Sequence, residues 1–169
     1  KNDSLAIINS VEPIYLEIVN RIIIAAEKKF EKVDNRILLP LSDHIAFAIK
    51  RMKEGMDIRN PFTSDIRALF HEEFDVALLG RSYIKEALGC EINDDEVGYI
   101  TLHIHSAIDG AKVDQVMKEA MLVRQFITRV EEANNIVIDV NSLAYNRFAT
   151  HIRYMIARAV KEETIALDM

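Results

Sequence analysis

The chain has 169 residues, a formal net charge of −6, 50% hydrophobic residues and 28% charged residues. This length and composition are typical of one ordinary folded domain or two small ones, and they exclude a disordered, collagen-like or low-complexity chain. The negative charge argues against a grip on a nucleic-acid backbone, and the single cysteine excludes an internal disulfide and favours a reducing, cytoplasmic setting.

Five glycines and three prolines are the few strong helix breakers, and they stand where helices should begin or end. This pattern predicts an all-α protein. The first predicted helix covers 13–30, where apolar residues recur every three or four positions. Further helices are predicted over 40–55, 60–70, 74–88 and 94–109, and the last of them opens with a capping asparagine, Asn93. No stretch is long and apolar enough to span a membrane.

The sequence repeats itself at a spacing of 107 residues (151 − 44). Residues 44–51, HIAFAIKR, reappear as residues 151–158, HIRYMIAR. We therefore expect a complete helical module over residues 1–109, followed by a joint and the first helices of a truncated second module over residues 110–169. Half a module leaves apolar faces open, which predicts pairing with another chain or poor order near the end. The same spacing carries the apolar stripe of the first helix onto Val123, Phe126, Val130 and Ala133.

Three separated segments carry a resemblance to a known family. They are residues 41–51 (LSDHIAFAIKR), residues 60–62 (NPF) and residues 95–104 (DEVGYITLHI). In this order they resemble the PTS regulation domain, or PRD, of BglG-type and SacY-type transcription antiterminators. The resemblance covers nearly the whole chain, as a complete first PRD and the beginning of a second.

The resemblance implies a regulatory protein that is not an enzyme. Each PRD would be a helical bundle that dimerises, and its histidines would accept phosphate from the sugar phosphotransferase system, with HPr and a sugar-specific enzyme II component as donors. Carried over by position, His44 and His103 would be the pair of the first module and His151 the first histidine of the second. Asp43 would help to orient His44. The RNA-binding domain that such modules control is absent from this chain.

The residues near these histidines fit such chemistry. A neutral imidazole is a nucleophile near neutral pH. A phosphate would add roughly 1.5–2 negative charges, which would attract Arg51 or repel Glu96 and Asp43, and either effect would change the packing of helices or subunits. Two other histidines have simpler interpretations, because His105 reads as structural or interfacial and His71 as part of an acidic, solvated turn.

Three alternatives stay open at this point. The same module would serve a DNA-binding transcriptional activator if a helix-turn-helix domain replaced the RNA-binding domain. A metal-dependent helical hydrolase would use His44, Asp43 and His103. The rings of His103 and His105 diverge on a helix, however, so this pair does not predict a metal site. The third alternative is a purely structural dimerisation domain.

Overall fold

The structure is a computed structural model that describes residues 11–168, except for the side chains of residues 163–165 and 168. The first ten residues of the predicted first module thus lie outside the described residues. Every regular element in the described range is helical, which confirms the all-α prediction. The α-helices are α1 (Pro13–Glu27), α2 (Leu38–Lys53), α3 (Thr63–Leu69), α4 (His71–Leu88), α5 (Asp94–Asp109), α6 (Val113–Asn134) and α7 (Leu143–Asp168), and a 3-10 turn, Asn35–Ile37, precedes α2.

Local sequence signals account for several helix ends. Asn93 caps α5, because its side chain accepts the backbone N–H of Glu96 at 2.9 Å. Gly89 and Gly110 end α4 and α5 with φ of 68° and 80°, a left-handed conformation that favours glycine. The helices predicted over 40–55 and 94–109 correspond closely to α2 and α5.

Several boundaries differ from the prediction. The helix predicted over 60–70 begins at Thr63, so residues 60–62 precede it. α1 ends at Glu27, so Phe30 lies beyond the helix, where its N–H still donates to the carbonyl of Ala26 at 2.9 Å. α2 begins before Pro40, because a proline in the first turn removes no helical hydrogen bond. α4 begins at His71, which is an exposed residue of the first helical turn and not part of a turn between helices.

Helices α1, α2, α4 and α5 surround the main apolar core. α1 lies very close to α4, since a Cβ at Gly80 would stand 2.9 Å from Cδ1 of Ile22. Burial of one large aliphatic or aromatic side chain stabilises a fold by about 1.5–3 kcal/mol, so this core fixes α2 against α5. Its largest side chains, each at most 1% exposed, include Ile18, Ile22, Leu41, Phe74 and Ile100.

Two smaller apolar clusters extend this unit. Ile66, Leu102 and Val116 join α3, α5 and α6, and a further cluster that includes Val123 and Ile152 joins α6 to α7. Both additional helices are thereby attached to the first five. Between residues 11 and 168, no helix has the length and apolarity needed to cross a membrane.

Asp65 on α3 ties α6 and α7 to the first five helices. Its carboxylate accepts hydrogen bonds from Nε (3.1 Å) and Nη2 (2.9 Å) of Arg124 and from the hydroxyl of Tyr145. Glu131 accepts from Nη1 of Arg124 at 3.4 Å and from the backbone N–H of Ile138 at 2.7 Å. Burial raises the pKa of Tyr145, so its hydroxyl remains a donor. A paired polar network of this kind favours one arrangement of the helices.

Candidate functional site

His44 on α2 and His103 on α5 face each other where these helices meet. Their ring centroids are 5.2 Å apart, and the ring of His44 also lies 5.8 Å from that of Tyr99. Glu96, Tyr99 and His103 recur at helical spacing, so they share one face of α5. That face closes over His44 and brings together two histidines that are distant in the sequence.

Glu96 contacts His44 from the buried side. Its Oε2 lies 3.1 Å from Nε2 of His44, and its side chain is 3% exposed. The other oxygen, Oε1, is buried and has no hydrogen-bond partner within the described part of the chain. The contact with His44 is therefore the hydrogen bond that this buried carboxylate side chain forms with another side chain among the described residues.

The imidazole of His103 is held in its neutral form. Burial, and next the neighbouring His44, lower the pKa of His103 to about 4. The ring is therefore uncharged at neutral pH, with one nitrogen lone pair available for reaction. His103 borders a cleft of about 270 Å³ that Arg36 and Lys112 also line. Asp34 lines the same cleft and pairs with Arg36 at 2.7 Å, so Lys112 is the cationic side chain of this lining that favours an anionic group near His103.

The loop before α3 fixes the start of α5, and hence Glu96. Asn60 is 4% exposed, and its side chain accepts the backbone N–H two residues further on at 3.0 Å. The hydroxyl of Thr63 donates to Oδ1 of Asp95 at 2.7 Å. A Cβ at Gly98 would stand 3.2 Å from Nδ2 of Asn60, so α5 and this loop approach most closely with glycine there.

Asp43 and Arg51 lie on α2 away from the facing histidines. Asp43 is exposed and borders a cleft between α1 and α2. The guanidinium of Arg51 lies over the ring of Phe47, 5.5 Å from its centroid. Within residues 11–168 neither Asp43 nor Arg51 hydrogen-bonds to a histidine, whereas Glu96 does. Of the three predicted supporting residues, the structure thus places Glu96 in the site.

His151 and His105 are not part of the histidine pair. His151 is an exposed residue of α7. His105 is 7% exposed; its Nδ1 lies 2.7 Å from Oε2 of Glu73, and its Nε2 lies 3.1 Å from Nη2 of Arg153. His105 therefore connects α4, α5 and α7, and both of its ring nitrogens are engaged.

The site offers two imidazoles in different states. One is hydrogen-bonded to a buried carboxylate and the other is kept neutral, and both conditions suit a nucleophile in group transfer. The described residues contain no group of three or more His, Cys, Asp and Glu side chains that could hold a metal ion. The hydrolase alternative required Asp43 beside His44 and His103, and Asp43 borders a different cleft.

Residues 16–107, which include both facing histidines, match the PRD domain family. This match covers more than half of the chain. The chain belongs to the PRD family. The resemblance inferred from the sequence motifs is thereby confirmed, and the PRD comprises most of α1 to α5.

Curated relatives of this PRD chain are transcription antiterminators. The GlcA/glcB genes antiterminator of Staphylococcus carnosus is 34% identical over 136 residues, which are 80% of this chain and 47% of that protein. The PtsGHI operon antiterminator of Bacillus subtilis is 36% identical over 118 residues, 70% of this chain and 42% of that protein. The PRD chain thus spans about half the length of these relatives. Both relatives are named as antiterminators, which are regulators of transcription.

A solved structure shares the fold of the PRD chain. It is described as the crystal structure of GlcT CAT-PRDI, and it matches with a TM-score of 0.54 and 36% sequence identity. The match covers 59% of this chain and 60% of that one. A further relative, the beta-glucoside operon antiterminator of Dickeya chrysanthemi, is 32% identical over 88% of this chain and 54% of that protein.

Sequence reasoning missed the residues that join the PRD to α6 and α7. Asp65 meets Arg124 and Tyr145, which are 59 and 80 residues further along the chain. His105 meets Arg153 of α7, 48 residues further along the chain. Helical periodicity describes each helix by itself, so no local signal marks these pairs.

Proposed function

We propose that this chain is the phosphoryl-accepting regulatory part of a transcription antiterminator. His44 and His103 receive phosphate from the sugar phosphotransferase system, and the phosphate changes homodimer packing and thereby the RNA-binding activity of an attached domain. The observation that carries this proposal is the pair of histidines within the PRD, 5.2 Å apart, with Glu96 hydrogen-bonded to one of them.

The physical effect of a phosphate follows from the charges around each histidine. A phosphoryl group adds roughly 1.5–2 negative charges. On His44 it is repelled by the buried Glu96, so it points outward and alters the exposed surface beside α2. On His103 it meets the cleft that contains Lys112 and the Asp34–Arg36 ion pair, next to the start of α6. In this proposal another helix or subunit packs on these two places when they carry no phosphate, so phosphate biases that packing.

The partners follow from this role. HPr and a sugar-specific enzyme II component are the phosphoryl donors, a second copy of the chain completes the dimer, and the RNA is bound by a domain outside this chain. The setting is the cytoplasm. The support is membership of the PRD family, together with curated relatives whose names describe operon antiterminators.

Residues 110–169 are, in this proposal, the joint and the first helices of a second PRD, and residues 1–109 are the first. α6 ends at Asn134, 107 residues after α1 ends at Glu27, which equals the spacing of the sequence repeat. By the same spacing His151 on α7 takes the position that His44 has on α2. His151 then stands where the second PRD has its first phosphorylatable histidine, but no described helix covers it, so in this chain we expect little phosphate on it.

Phosphorylation followed by mass spectrometry tests the proposal. The protein is incubated with phosphorylated HPr, or with the phosphorylated enzyme II component, and kept at neutral or alkaline pH because phosphohistidine is labile in acid. The native protein gains phosphate, and His44→Ala and His103→Ala each lose one phosphorylated peptide. His71→Ala, which changes an exposed histidine, is phosphorylated like the native protein. If no histidine of the native protein gains phosphate from either donor, the proposal fails.

A further inference from the structure

The two ring nitrogens of His44 have different surroundings. Nε2 lies 3.1 Å from Oε2 of Glu96, whose side chain is 3% exposed. Nδ1 has no hydrogen-bond partner among residues 11–168, and it is not one of the fully buried unpaired atoms. Since 22% of the His44 side chain is exposed, one nitrogen faces a buried carboxylate and the other is reachable from outside.

Glu96 determines which tautomer His44 adopts. A carboxylate only accepts hydrogen bonds, so the ring nitrogen that bonds to it carries the hydrogen. In the neutral ring of His44, Nε2–H therefore donates to Glu96 and the lone pair is on Nδ1. Only the nitrogen with the lone pair can attack a phosphorus atom.

We propose that Glu96 is a positioning residue that directs phosphoryl transfer to Nδ1 of His44. This inference rests on the proposed function and adds the atom that accepts the phosphate. The Nδ1 lone pair forms a bond to phosphorus while the P–N bond of the donor's phosphohistidine breaks, and that electron pair returns to the donor's ring. Nε2 of His44 keeps its proton, so no proton moves.

The product of this step is stabilised by the same contact. The phosphorylated ring of His44 is an imidazolium, and its Nε2–H donates a charge-assisted hydrogen bond to Glu96. The phosphate stands on the opposite nitrogen, away from the buried carboxylate. Glu96 therefore interacts more strongly with the product than with the neutral ring, and the transfer gains driving force.

Transfer to Nε2 would meet two obstacles at Glu96. The ring would lose its hydrogen bond, and a phosphate with roughly 1.5–2 negative charges would lie against a buried carboxylate. Within the described residues Glu96 forms no ion pair other than the one with His44, and its Oε1 is unpaired. No described cation is therefore in place to offset that repulsion.

His105 provides a comparison within the same helix. Its Nδ1 bonds to Glu73 and its Nε2 to Arg153, and it is 7% exposed. Both nitrogens are occupied, so His105 has a carboxylate partner without a free nitrogen. The free Nδ1, and not the carboxylate alone, distinguishes His44 as an acceptor.

The nitrogen that accepts the phosphate can be identified by NMR. The full chain, labelled with ¹⁵N-histidine, is phosphorylated with phosphorylated HPr, and long-range ¹H–¹⁵N correlations and ¹⁵N–³¹P couplings are recorded. Phosphate on Nδ1 of His44 is the expected result. Phosphate on Nε2 of His44 overturns this inference and leaves the proposed function standing. Phosphate on other histidines with none on His44 overturns this inference and removes His44 from the proposed function. No phosphate on any histidine overturns both.

Variants of Glu96 test its role directly. Glu96→Gln keeps an acceptor for Nε2–H and removes the charge, so the rate of phosphorylation at His44 falls about tenfold while Nδ1 remains the acceptor. Glu96→Ala removes the selection, and phosphate appears on both nitrogens. Glu73→Gln, the matched change at His105, alters neither the rate nor the nitrogen. A purely structural role for Glu96 would lower the rate without moving the phosphate, so exclusive Nδ1 labelling in Glu96→Ala contradicts the proposal.

Discussion

The apolar stripe of α1 and its repeat counterpart on α6 differ in exposure. Val19 and Ile23 of α1 are at most 5% exposed and belong to the main core. Their counterparts on α6, Phe126 and Val130, border an open groove of about 230 Å³, and Phe126 is 45% exposed. Related sequences therefore form a covered face around Val19 and Ile23 but a partly open face on α6, where Val123 is buried and Phe126 is not.

The histidines at the matching positions differ in the same way. His44 lies against Glu96 and His103 of α5, whereas His151 is exposed on α7. The repeated motif sets where the histidine stands on its own helix. The surroundings that orient and desolvate it come from another helix, so the motif alone does not make a site.

The largest expected effect comes from removing Asp65, whose hydrogen bonds join α6 and α7 to the first five helices. Asp65→Ala leaves the guanidinium of Arg124 and the hydroxyl of Tyr145 without their buried acceptor, and we expect the free energy of unfolding to fall by about 3 kcal/mol. Urea denaturation followed by circular dichroism measures this. Glu86→Ala, which removes an exposed ion pair with Arg21, should leave the midpoint unchanged. Equal midpoints for both variants would show that Asp65 does not join the regions.

The pH dependence of the free energy of unfolding tests whether His103 is buried in its neutral form within the PRD. Its folded pKa of about 4 lies below the ordinary value of 6.5. Above pH 6.5 the residue is neutral in both states and costs nothing. As the pH falls below 6.5, the unfolded chain binds a proton that the folded chain does not, so stability declines until the pH reaches the folded pKa. The expected loss between pH 7.5 and pH 5 is about 2 kcal/mol.

His103→Gln removes this contribution, so its unfolding free energy should fall by about 2 kcal/mol less than that of the native protein over the same pH interval. His71→Gln changes an exposed histidine and should keep the native slope. Urea denaturation at pH 7.5, 6 and 5 gives the three slopes. A native slope in His103→Gln would mean that His103 is not held neutral by the fold.

A smaller loss of stability is expected at His105, which connects α4 and α5 to α7. Glu73→Ala removes the acceptor of His105 Nδ1–H, and we expect a loss of about 1–2 kcal/mol in unfolding free energy together with faster amide exchange in α7. Glu72→Ala, a change at the exposed neighbour, is the control and should alter neither quantity. Unchanged amide exchange in α7 would contradict the claim that Glu73, through His105, holds α7 against the first five helices.

The smallest expected effect is at His151. Its replacement by alanine should change the free energy of unfolding by less than about 0.5 kcal/mol, because the side chain is exposed. The same replacement at His44 leaves Glu96 buried without its partner and should cost about 1–2 kcal/mol. Urea denaturation curves of the two variants measure the difference. Equal losses of unfolding free energy would contradict the claim that His44 is held by neighbouring residues and His151 is not.

The sequence predicted features that depend on neighbours in the chain. Asn93, Gly89 and Gly110 mark helix ends because a cap or a left-handed residue acts within one turn. The motif residues, with His44 and His103 among them, led to the PRD family. The beginning of α4 was placed three residues late, since no strong breaker stands at Phe70 between α3 and α4.

The contacts between helices could not be predicted from the sequence. Glu96 was singled out as a supporting residue, but its hydrogen bond to His44 spans 52 residues. Helical spacing gives the residues that share a face and not the helix that the face meets. The orienting role expected for Asp43 comes from the family resemblance, but Asp43 is exposed and borders another cleft, because successive residues on a helix point in different directions.

The most direct test of the central claim is site-resolved phosphorylation of His44 and His151 in one native protein. A time course with phosphorylated HPr, read by mass spectrometry of the two peptides, compares a histidine that α5 surrounds with one that no described helix covers. We predict that phosphate accumulates on His44 while His151 remains largely unlabelled, and that Glu96→Ala narrows the gap. Labelling of His151 as fast as His44 would contradict the claim that the α5 face creates the acceptor site.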